Sequence, residues 1–169
     1  LPAAGQLDPG GIGKGYAGDR VAEWLITNGS AHAIVCLGGD IRIAGSADQP
    51  LEVEIQDPWD LDRAAGRLFL DQGGVATSSI LRRRWRGSDG TDRHHLLDPR
   101  TRMPADTDVV AVTVAAGETW WAEALAKSAV IGGTADGVPL LERHGVAALV
   151  ALRDGSSITI GARTREAAA

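Results

Sequence analysis

The sequence holds a single cysteine, a single methionine, one tyrosine and one phenylalanine among 169 residues. The lone Cys36 excludes an internal disulfide and a cysteine-based zinc site, and leaves the compartment open between cell envelope and cytoplasm. Positive charge is not in excess either. The net charge of −5 argues against a broad nucleic-acid surface. No apolar run reaches the length of a membrane span, and no stretch reads as a signal peptide. The abrupt opening Leu-Pro-Ala-Ala-Gly-Gln reads as the start of a fragment. Any signal or lipid anchor, and with it any membrane association, would then lie in a missing N-terminal part. A hydrophobic content of 44% and a charged content of 23% suit one globular domain over residues 1–169.

Glycine, by contrast, is plentiful, and it crowds around one lysine in Leu7–Asp19, LDPGGIGKGYAGD. Gly10, Gly11, Gly13, Gly15 and Gly18 free the backbone for close approach to a ligand. Successive N–H groups, a helix N-terminus and Lys14 together make a concavity suited to phosphate. Gly13 to Gly18 matches G-x-G-x-x-G, but the preceding residues are turn material rather than the strand a dinucleotide fingerprint needs. Gly15 after the lysine and Asp8 upstream exclude a Walker A loop. Taken alone, the loop is as compatible with a plain glycine turn.

Periodicity organises the rest. Ala17, Val21, Trp24 and Leu25 predict a helix over 16–27 that buries this stripe, closed by Asn28-Gly29. Residues 33–37, 41–44, 51–55, 66–71 and 75–79 read as strands, with 80–85 continuing the last. Residues 94–97 form another short strand, and 109–115 a strongly β-branched one. A second helix spans 117–131 and a third 134–144, before a closing hairpin of 146–152 and 157–160 and a frayed tail over 163–169. Many strands with few helices predict an α+β fold, a mainly antiparallel sheet packed with two to three helices.

The densest polar cluster is Asp92 to Thr101. Strand alternation turns His95 and Leu97 to one side and His94 and Leu96 to the other, so one histidine reaches a site while its neighbour points away. Asp98 ends the strand, where a carboxylate can orient a histidine; a polar strand closed by an Asp-Pro turn is the plainer alternative. Arg82, Arg83, Arg84 and Arg86 divide between two faces, with at least half solvated. Thr77, Ser78 and Ser79 either bind phosphate oxygens or cap a strand end. Glu123 and Lys127, at i and i+4, read as a solvated ion pair on a helix face.

Taken together, four ordered blocks resemble the ApbE family, the FAD:protein FMN transferases. They are Asp8 to Ala17 closed by Asp19, Leu37 to Arg42, Val75 to Ser78, and His95 to Thr101; Ala122 to Lys127 is a fifth, weaker block. The resemblance implies a magnesium-dependent enzyme that cleaves the FAD pyrophosphate and passes FMN to a Thr or Ser hydroxyl of an acceptor protein, releasing AMP. It also implies His95 with Asp98 as the catalytic pair, and Gly11, Lys14, Gly38, Gly39, Asp40, Thr77 and Ser78 around the nucleotide. Gly13, Glu123 and Ala126 take the positions that contact Mg²⁺. Members normally carry a further upstream stretch that helps build the flavin pocket. Where the family presents Asp and, four residues on, Thr as metal ligands, this chain has Glu123 and Lys127; a protonated lysine does not ligate a cation and would occupy its place. Cys36 replaces a frequent Asn, and Arg102 stands where Gly is common. Two alternatives follow from these departures: a non-catalytic FAD-binding module, and a pyrophosphatase that turns FAD into FMN and AMP.

Overall fold

A computed structural model describes residues 8–46 and 48–161; the expected frayed tail lies outside them. The order is α1 (Gly13–Thr27), β1 (His32–Leu37), β2 (Asp40–Gly45), β3 (Leu51–Gln56), β4 (Ala64–Leu70), β5 (Gly73–Ser79), β6 (Arg84–Arg86), β7 (Asp92–His94), β8 (Val109–Ala116), α2 (Thr119–Arg143), β9 (Ala147–Leu152) and β10 (Ser157–Ile160). Six strands form one sheet in the order β1-β2-β5-β8-β9-β10, and each neighbouring pair is antiparallel. The fold is α+β, as predicted.

β8 lies at the heart of the sheet and is buried along nearly its whole length. It is covered on both faces, which is why it reads as a continuous apolar run rather than an alternation. On one face Ala122, Leu125, Ala126, Ala129 and Val130 of α2 pack with Val112 and Val114. On the other, the β3–β4 ribbon contributes Val53, Ile55 and Leu68, packed with Val75 and Ala115. The ribbon keeps its alternation: Glu52 and Glu54 stay outside and face Arg67, at 3.2 and 3.8 Å.

The predicted second and third helices form one run, α2, broken at Gly133, whose φ of 66° and ψ of −168° leave the helical region. The Asp108 carboxylate takes the place of the interrupted helical bonds, accepting from the Thr134 N–H at 3.0 Å and from its hydroxyl. These bonds hold the Asp108 carboxyl below its ordinary range.

α1 overturns its predicted face. Val21 and Trp24 are exposed, and the buried positions are Gly15, Gly18 and Ala22. α1 approaches α2 backbone to backbone: a Cβ added at Gly15 would stand 2.6 Å from the Thr119 carbonyl. Glycine holds position 15 because only it allows that approach, while Ala22 packs with Ala33 and Ala44 of the sheet.

Two strand predictions also shift. β5 ends at Ser79, and residues 80–83 turn through Arg83 at φ 48° before β6 begins. The strand expected over 94–97 instead ends at His94, and Leu97 makes only an isolated bridge to Pro104. The Asp98 loop doubles back, with Asp98 N–H donating to the Met103 carbonyl at 2.9 Å, and this ends strand pairing there.

Candidate functional site

The glycine loop is a tight turn before it is anything else. Asp8 Oδ1 accepts from the Gly10 N–H at 2.8 Å, and the Pro9 carbonyl accepts from Ile12 and Gly13 at 3.0 and 2.7 Å. α1 then starts at Gly13 with no side-chain cap of its own. Its free N–H at Gly15 is met from another helix: Glu123 Oε2, on α2, accepts it at 2.9 Å. The favour is returned. Asp19 on α1 accepts from the Thr119 and Trp120 N–H groups, at 3.0 and 2.9 Å, and so caps α2. Asp19 was legible only as the close of a motif; its capping role needs the second helix in view.

Lys14, in the first turn of α1, is partly buried, its side chain 35% exposed. Its ammonium is ion-paired with Asp40 and lies 3.2 Å from Glu123 Oε1. Burial alone would lower the Lys14 pKa, but the two carboxylates outweigh it and raise it. Asp40 moves upward too, because its own burial exceeds the pull of Lys14. Glu123 is 4% exposed, so the solvated Glu123–Lys127 pair does not form. Lys127 turns instead to the glycine loop, its Nζ donating to the Gly10 carbonyl at 2.9 Å. Burial sets Lys127 below the usual lysine range.

These groups line one cavity of about 320 Å³. Its polar wall includes Gly10, Lys14, Gly38, Gly39, Asp40, Thr77, Ser78, Arg82, Arg83, His95, Glu123 and Lys127, and its apolar wall Val53, Ile55, Val75, Ala111 and Leu149. Blocks far apart in sequence therefore meet at one place. Gly38 and Gly39 take φ of 59° and 93°, a conformation glycine adopts without strain. Thr77 Oγ1 is 2.8 Å from Thr113 Oγ1, a neighbour the sequence did not point to. Arg84 and Arg86 stay on the exposed β6–β7 ribbon, as half of the arginines were expected to.

The expected pairing of His95 with Asp98 is not assembled. His95 lines the cavity with Nδ1 shut from solvent and without a hydrogen-bond partner. Burial, then Arg83 and Lys127, hold its pKa below the ordinary imidazole value. Asp98 is turned away to Arg100, which it accepts through the backbone N–H at 2.8 Å and the guanidinium at 3.0 Å. The short Asx turn claims that carboxylate first. His94, its ring at 3.1 Å from the Ala105 carbonyl, is structural.

The donor set does not suit a divalent cation. Both Glu123 oxygens are taken, one by the Gly15 N–H and one by Lys14. Ala126 is wholly buried inside α2, where the helical repeat directs its carbonyl to Val130. Gly13 lies outside the cavity lining, and Gly11 meets the site through Lys127: a Cβ added there would stand 2.8 Å from Nζ. Among the described residues, no three His, Cys, Asp or Glu side chains gather as a metal site. Magnesium prefers six oxygen donors in near-octahedral array, and this corner presents two ammonium groups instead.

Fold and site together define an antiparallel α+β domain with a glycine- and lysine-lined ligand cavity. The chain belongs to the ApbE family, whose model matches residues 2–150. It is 30% identical over 152 residues to the FAD:protein FMN transferase of Salmonella typhimurium, covering 88% of this chain and 43% of that protein. The FAD:protein FMN transferase of Treponema pallidum is 33% identical over 160 residues, covering 88% and 44%. Among solved structures, the ApbE protein of Thermotoga maritima superposes with a TM-score of 0.82 at 31% identity, covering 92% of this chain and 51% of that one. The Pseudomonas stutzeri flavinyl transferase ApbE, in its apo form, gives a TM-score of 0.75 at 30% identity, covering 91% and 49%. The chain thus spans less than half the length of these curated relatives.

Proposed function

We propose that this chain carries the nucleotide-handling half of an FAD:protein FMN transferase. The observation that supports it is the convergence of the glycine loop, the Gly38–Asp40 turn, Thr77, Ser78 and His95 on one cavity. A volume of about 320 Å³ lies at the small end of ligand pockets, which run from about 300 to 1,000 Å³, and holds part of a dinucleotide. The apolar wall suits the flavin ring, and the lysine-lined end suits the pyrophosphate.

In the proposed reaction, the hydroxyl oxygen of an acceptor Thr or Ser bonds to the phosphorus on the FMN side. The bond from that phosphorus to the bridging oxygen breaks, and AMP leaves with its electron pair. The hydroxyl proton passes to the His95 imidazole, which its depressed pKa keeps neutral and ready to accept at pH 7. His95 works here without Asp98. Magnesium, which the resemblance adds, would neutralise phosphate charge, but the donor set here does not fit it.

The test is to incubate the protein carrying this chain with FAD and a Thr-bearing acceptor, following protein-bound flavin and free AMP. Both products are expected together. AMP without protein-bound flavin would make it a pyrophosphatase, and FAD binding without AMP a non-catalytic module.

A further inference from the structure

The two lysines at the cationic end of the cavity have different partners. Lys14 is committed to two carboxylates, Asp40 and Glu123. Lys127 is committed to none within ion-pair distance among the described residues; its Nζ rests on the neutral carbonyl of Gly10, 2.9 Å away. An ammonium has three N–H groups, so two remain for an incoming anion.

We propose that the Lys127 ammonium, and not a divalent cation, supplies the positive charge that meets a diphosphate group in this cavity. The proposal rests on the nucleotide reading above and assigns its electrostatics. A backbone carbonyl oxygen such as that of Gly10 is a hard donor of the kind a magnesium ion would seek. Lys127 already sits there, and both Glu123 oxygens are engaged elsewhere. The loop is shaped to it: Gly11 carries no Cβ, and one added would stand 2.8 Å from Nζ. Charge points the same way. Lys127 faces the carboxylates of Asp8 and Glu123 as well as Lys14 and Arg83, so its removal takes one positive charge from the corner and weakens its attraction for a diphosphate. Arg82 and Arg83 on the same wall add to the attraction.

Two probes test this, inorganic pyrophosphate and FAD, each titrated calorimetrically into the chain in EDTA and again in excess Mg²⁺. Lys127→Thr and Lys127→Arg are measured alongside, with unfolding midpoints to show that each variant is folded. The chain is expected to bind pyrophosphate in EDTA, and Mg²⁺ to change its affinity by less than about threefold. Loss of one charge-assisted contact should weaken Lys127→Thr by about tenfold or more in EDTA. Lys127→Arg, which keeps the charge, should stay within about threefold of the parent. A parent chain that takes pyrophosphate only with Mg²⁺ would overturn the assignment, as would unchanged binding by folded Lys127→Thr or no pyrophosphate binding at all. Pyrophosphate binding in EDTA with no FAD binding would instead remove the flavin reading and leave the cation assignment standing.

Discussion

The two ends of the cavity are built on different principles. At the cationic end, Lys14, Asp40, Glu123 and Lys127 sit on helices and a strand, and are fixed by capping bonds that also join α1 to α2. At the histidine end, His95, Arg82 and Arg83 ride on the long connection between β5 and β8, outside any strand. Binding charge is thus part of the fold's skeleton, whereas the proposed proton acceptor is hung on a loop. Substitutions at the first end should disturb stability and binding together, and substitution of His95 at the second should disturb chemistry alone.

Gly15→Ala is the most damaging change expected, because its methyl group meets backbone rather than a movable side chain. Prising α1 from α2 should cost about 3 kcal/mol, read from urea unfolding. His95→Ala should lower flavin transfer by about a hundredfold or more while leaving the unfolding midpoint within about 2 °C. In the parent, transfer should fall as acid protonates the ring, with its inflection below the ordinary 6.5 because burial lowers that pKa. An inflection above that value would remove His95 as the acceptor. Glu123→Ala strips the Gly15 N–H of its acceptor and leaves Lys14 with Asp40 alone; about 2 kcal/mol of stability should go with it. If Glu123→Ala weakened nucleotide binding without destabilising the chain, the contrast between the two ends would fail. The smallest effect is a gain. Arg102 holds φ at 61°, so Arg102→Gly should relieve strain and stabilise the chain by up to about 1 kcal/mol.

That last residue shows how far the sequence could be read. Arg102 stood out by comparison with a family pattern, and the left-handed backbone there gives the physical reason glycine is common at that place. The sheet was legible because Val109–Ala116 and the alternating Leu51–Gln56 declare burial through side-chain pattern. The face of α1 was not, since hydropathy favours Val21 and Trp24 while the contact with α2 selects for absence of bulk at Gly15. The site blocks were legible as types of residue, but not their pairings. Glu123 and Lys127 are natural i,i+4 partners until Gly15 and Lys14 arrive from another helix to claim the carboxylate. Asp98 is the natural partner of His95 until Arg100, two residues on, folds back to it. In each case a contact of larger or shorter loop closure than the pattern assumes decided the outcome.

The most direct measurement is a crystal structure of the chain with FAD bound. The pyrophosphate is predicted against the Lys127 ammonium at the Gly10 end of the cavity, with the flavin ring over Val53, Ile55 and Leu149. Nucleotide density outside this cavity, for example along the arginines of the β6–β7 ribbon, would contradict the assignment of the site.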